Sequence, residues 1–179
     1  MTKFLRMTSL AATVAALAVT ATPALAVTGP VLVSPDKQAT ATARIVKPLT
    51  LTWVRDLDLG TIVLSGAGTW TGATVGIDKA GTFTCTNVNV TCSGTTKTAE
   101  YTITGTNNQV VTVVAPDVTL KNQNDLTKTL LLTVDKPLTV NLGSSGASGT
   151  PLDLGGSITV ANDTSDGTYV GTFAVTVNY

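Results

Sequence analysis

Two cysteines, a few spaced carboxylates and one Asn/Asp run ending in Gly are the residues whose types and spacing could do chemistry here. Cys85 and Cys92 enclose Thr86 to Thr91. Folding that segment about Val88 and Asn89 sets the cysteines opposite each other on a tight hairpin, at the ~4.5–5.5 Å Cα separation of facing residues, within reach of a disulfide. In the chain-entropy picture so short a loop is worth about 2.5 kcal/mol. A redox or metal pair would want CxxC spacing or further ligands, which are missing. Asp56 and Asp58 would share a strand face and could serve acid–base work or a cation. They read more simply as a solvated strand end beside Arg55. Asn162 to Gly167 is the better cation loop, although such clusters are ordinary turn chemistry. The chain contains no His, so it lacks the commonest general base and the commonest metal ligand. Neither GxSxG nor a phosphate loop occurs. The expectation is a protein that is not an enzyme and carries no cofactor.

Composition narrows the class further. Lys and Arg number 11 against 11 Asp and Glu, charged residues are only 12% and hydrophobic ones 43%. Disorder needs the opposite balance. No basic stripe is available for phosphates, so nucleic acid is not expected as a partner. The first residues read as an export leader: Lys3 and Arg6 are basic, Met7 to Thr20 is weakly apolar, and Ala24-Leu25-Ala26 follows Pro23 as a cleavage site. Residues 1–26 are therefore expected to be a signal peptide, 27–38 a flexible lead with Pro30 and Pro35, and 39–179 one domain. The leader carries too many hydroxyls for a span of ~20 apolar residues, and no later segment could cross a membrane as a helix. The expected location is the periplasm, the cell surface or the medium, where a disulfide persists.

The elements that must position these residues are strands. Ala99 to Thr104, Leu138 to Leu142, Gly156 to Val160 and Phe173 to Tyr179 alternate apolar and polar residues, and Leu130 to Val134 does so loosely. Gln109 to Ala115 is more continuously apolar, which predicts a strand buried on both faces. Turn residues punctuate the chain at 66–68, 78–81, 105–108, 122–125, 143–149 and 162–167. Nine or ten short strands at this spacing predict an all-β antiparallel sandwich or barrel. The abundant Thr wets a strand surface without long charged side chains.

Leu57 to Ile62, Gly155 to Val160 and Gly167 to Tyr179 resemble the bacterial secreted family known as domain of unknown function 4402. More distantly the chain is similar to spore coat protein U and the chaperone–usher pilins. The resemblance implies an immunoglobulin-like, pilin-like β-sandwich that lacks one strand. It also implies a periplasmic chaperone and usher as partners, and self-association by donor-strand complementation. Pilins carry a Gly twelve residues before a near-terminal Tyr, a spacing kept by Gly167 and Tyr179. The pairing strand would present Gly167, Tyr169, Phe173, Val175, Val177 and Tyr179. The donor strand would present Ala39, Ala41, Ala43 and Ile45, with Val31 and Val33 as a second possibility. Residues 39–46 could instead be the domain's own first strand, giving a self-complete monomeric binding module. An outer-membrane barrel would need aromatic girdles, and aromatic residues are 4%. A glycan-binding adhesin would want an exposed aromatic such as Trp70, whereas Trp53 is expected in the core and Trp70 at a sheet edge.

Overall fold

The computed structural model describes residues 39–66, 68–144 and 148–179. The expected leader and residues 27–38 lie outside them. Residues 39–43, taken by themselves, form neither helix nor strand. In the unit Arg44–Tyr179 the described residues form thirteen strands and no helix. All pairings are antiparallel.

Many of these strands are halves of longer, bent ones. β1 (Thr50–Arg55) pairs β6 (Ala99–Thr104), and β2 (Thr61–Leu64) pairs β5 (Val90–Ser93), with an Asp58–Lys97 bridge between the two ladders. Likewise β7 (Val110–Val114) continues into β8 (Val118–Asn122), and β9 (Thr129–Asp135) into β10 (Thr139–Asn141). Both breaks fall at a proline, Pro116 and Pro137, which has no amide to offer a ladder. Neighbouring groups repair the gap: the Asp117 carboxylate accepts the Val134 amide at 2.8 Å, and the Val113 amide donates to Leu138 O at 3.0 Å. The last strand is similarly split into β12 (Tyr169–Val170), on β8, and β13 (Thr176–Asn178), on β7.

β11 (Thr150–Val160) is the hub. Its first half pairs β6; its second half pairs β9 and β3 (Ala73–Ile77). Partners change at Gly155-Gly156, where a Cβ on Gly155 would stand 2.2 Å from Ile77 O. Only glycine allows backbones so close. The resulting path runs β1-β6-β11-β9-β8-β12, with β3 and the short β4 (Phe83–Thr84) attached through β11, and β10-β7-β13 as a second sheet. Ile103, Leu142, Leu152, Leu154, Val75 and Val111 are the large side chains buried in the sandwich-like core.

Two expectations change. Gln109 to Ala115 is not buried on both faces: Val111, Val113 and Ala115 point inward, while Val110 and Val114 are 55% and 48% exposed. Valine suits a strand by its branched Cβ whether or not its face is covered, so the apolar run misled. Nor do the cysteines face each other on a hairpin. The disulfide forms, but Cys85 follows β4 while Cys92 lies in β5, and these strands belong to different sheets. Residues 86–89 turn through Asn87, whose carbonyl and side chain accept the Val90 and Asn89 amides. The Cα separation is 6.3 Å, wider than for facing residues.

Replacing both cysteines by Ser is expected to lower unfolding stability by about 2–3 kcal/mol. It should also speed amide exchange first in Val90–Ser93, which loses its tie to β4. Equal stability with unchanged exchange would contradict that role. Asp135 gives a pH prediction. It accepts the Lys79 amide and the Lys79 ammonium, both at 2.9 Å. These bonds, the backbone one foremost, hold its carboxyl below the usual 3.8. A depressed folded value gives stability that is present above the ordinary carboxylate range and lost as pH falls through the folded value. Asp135→Asn should therefore flatten the acid limb of a Tm-against-pH curve below about pH 4; a limb as steep as that of the unaltered protein would refute the assignment.

Candidate functional site

The path β1-β6-β11-β9-β8-β12 contains five antiparallel steps, so its first and last strands run in opposite directions. Among the described residues β1 pairs only β6, and the last strand pairs only β7 and β8. Each keeps one unpaired edge. Between them lies a cleft of about 420 Å³. Asp56 and Leu57, just past β1, line one side, and Tyr169 to Phe173 line the other. Ala99, Tyr101, Leu120 and Leu132 are its remaining lining residues. The two ends of the rolled sheet thus meet at an open seam lined by both polar and apolar groups.

Register shows which side chains belong to this seam. Leu51 stands opposite Ile103 and Trp53 opposite Tyr101; directly opposed residues share a face. Ile103 is fully buried, so this face points inward. Trp53 sits on the same inward row yet is 57% exposed. Its expected place in the core is not found: it lies on the inward row, but no layer covers it and it does not pack on the core. Its indole N–H donates to Asp56 Oδ1 at 3.0 Å. Partial burial, and secondly the Asp56 charge, push the Tyr101 hydroxyl above its usual 10.0. Trp70 takes the role expected of Trp53, packing on the core with its indole N–H on Ser65 O.

The opposite wall keeps the alternation read from the sequence. Gly171, Phe173, Val175 and Val177 are half-buried, and Thr172, Ala174, Thr176 and Asn178 are exposed. Ladder pairs form at Tyr169–Val170 and Thr176–Asn178 but not between them. There the register slips by one residue: Tyr169 faces Asn122 while Thr176 faces Val114. Gly167, two residues ahead of β12, has φ 134°, and a Cβ there would stand 2.6 Å from the Asn122 amide. Asn122 is a residue the sequence reading missed, having counted it as a turn residue. It is buried, donates to Asp166 O at 2.7 Å and accepts the Asn124 amide at 2.8 Å, anchoring both turns. At the far end the Tyr179 hydroxyl donates to Lys47 O at 2.6 Å and accepts the Thr106 amide at 2.8 Å.

The other candidates do not converge. Ile45 is 91% exposed and in no strand. Ala39, Ala41 and Ala43 likewise lie in no strand, and Val31 and Val33 lie outside the described residues. Asp58 is occupied by its bridge to Lys97 and by the Gly60 amide, and Arg55 by Glu100 and Asp153. Residues 161–164 close a turn in which the Ala161 amide donates to the Thr164 hydroxyl. Among the described residues no three His, Cys, Asp or Glu side chains gather to hold a metal.

The fold and seam define an antiparallel all-β protein whose rolled sheet is open along one side. Residues 49–179 match the family described as "Domain of unknown function (DUF4402)", and the chain belongs to that family. The match begins one residue before β1 and so spans all thirteen strands. No curated protein and no solved structure matches the chain.

Acrylamide is expected to quench most Trp53 emission and little of Trp70, and Trp53→Phe should remove the accessible fraction. Equal quenching of both indoles would refute the open face.

Proposed function

We propose that the domain is an exported structural subunit of the bacterial surface. It associates when an extended segment from a second copy enters the seam between β1 and the last strand. One observation carries this reading: Trp53, on an inward row, is 57% exposed near a cleft of mixed polar and apolar lining that is flanked by two unpaired strand edges. Covering a Trp to that extent is worth on the order of 3 kcal/mol. Backbone pairing to the two edges would supply the rest, the mode called strand addition.

The donor in this reading is the lead ahead of β1, with Ala39, Ala41, Ala43 and Ile45 facing in. Its small side chains suit a seam already filled by Trp53, Tyr101, Leu57 and Phe173, since facing layers pack best when large meets small. The resemblance to pilins adds a periplasmic chaperone and usher as expected partners. It also supports export and surface location. The reading needs neither catalysis nor a cofactor. A self-complete monomer is disfavoured because residues 39–46 lie in no strand. A membrane barrel is disfavoured because apolar side chains fill the inside while Thr dominates the outward rows, the reverse of a lipid-facing surface.

The test compares the protein lacking residues 1–26 with one lacking residues 1–46, by size-exclusion chromatography and unboiled SDS gels. Ladders that vanish in the shorter chain support the reading. An unchanged, stable monomer in both would reject it.

A further inference from the structure

Resting on that reading, we propose that Tyr179 is the stop that ends the seam and so fixes how far an inserted strand can run. The two strand edges are treated differently at their two ends. At one end Asp56 and Leu57 face Tyr169 to Phe173 across the open cleft. At the other, the Tyr179 ring reaches across. Its hydroxyl donates to Lys47 O, just ahead of β1, and accepts the amide of Thr106, just past β6. The Lys47 amide in turn donates to the Thr106 hydroxyl at 2.6 Å. One side chain thus ties the chain just ahead of β1 to the chain just past β6 at this end of the seam.

Tyr179 is 42% exposed, but its hydroxyl end is closely packed. A Cβ on Gly105 would stand 2.8 Å from the Tyr179 hydroxyl, 2.8 Å from Leu49 and 2.9 Å from Leu142. The site is therefore closed on the loop side by close packing that only glycine permits. An inserted backbone would need about 4.8 Å from each neighbour, and the ring with its two hydrogen bonds occupies that space. The strand accordingly registers against Tyr179, and its remaining length lies toward Trp53 and Tyr169. This makes Tyr179 a specificity-determining residue for the length and register of the occupant.

The experiment uses synthetic peptides of this chain's own residues 39–45, 33–45 and 39–49. Each is titrated against the protein lacking residues 1–46, with Trp53 fluorescence as the readout. In the unaltered domain, one of the two extensions should change the Kd less than twofold, because it meets the ring. In Tyr179→Ala that same extension should tighten binding at least threefold. Tyr179→Ser removes the ring with a polar side chain and serves the same test should the Ala variant fail to fold, whereas Tyr179→Phe, which loses both hydrogen bonds but keeps the ring, should keep the parent's length dependence. Identical length dependence in variant and parent overturns the stop while leaving strand addition intact. Binding of no peptide to any of the proteins overturns the seam reading itself, and the stop with it.

Discussion

A β-sheet edge leaves a row of amides and carbonyls without partners, and this constraint organises the molecule. Several edges are kept short: β4 has two residues, β10 three and β5 four. Two edges remain open, that of the six-residue β1 and that of the last strand, which is itself broken into β12 and β13. They are brought face to face across a cleft with apolar side chains behind it. Direct pairing between them would close the path into a barrel. Inward side chains as large as Trp53, Tyr101 and Phe173 leave little room for so tight a closure. The sheet therefore rolls nearly shut and keeps an opening along one side.

Proline and glycine set the roll. Pro116 and Pro137 interrupt adjacent strands at matching heights, so both bend together and the sheet divides into two layers. The carboxylate of Asp117 takes over one amide at the break. At Gly155-Gly156 the central strand changes partners, and the backbones approach more closely than any side chain would allow. Asn122 then anchors the turn that sends the last strand back along β8 and β7. These few positions bring Leu57 and Tyr169 to opposite sides of one cleft although they are far apart in sequence.

The sequence carries the local pattern well and the long-range pattern poorly. β6 spans the six residues whose alternation announced it, and β9, β10 and the half-buried row at 171–177 follow their periodicity. The disulfide pairing is legible because a chain with two cysteines has only one pairing to make. Its context is not, since hairpin symmetry about Val88 ignores that β2 and β3 compete for the flanking strands and win. Pro151 hides the first half of β11, because a proline inside a strand argues against it. The Trp53 reading shows the limit clearly. Period two fixes which way a side chain points, but only the order of strands decides whether a layer covers it. Tyr101 and Leu120 enter the cleft for the same reason and were invisible as a group.

That limit also bears on why the lead ahead of β1 is so plain. If an extended segment is to enter the seam, most of the bulk is already on the acceptor side, in Trp53, Tyr101, Leu57 and Phe173. A donor of alternating Ala and Thr then needs little volume, and its backbone supplies the pairing. Such a segment has an advantage before it is paired. Strongly apolar, β-prone stretches exposed on a free chain aggregate with one another, whereas small side chains interspersed with hydroxyls stay solvated. The apolar surface at risk is held on a folded scaffold, where Asp56 beside Trp53 keeps one polar group at the mouth. In the proposed association, dividing bulk and backbone in this way would place the association energy in the groove and leave the inserted segment with little affinity for itself.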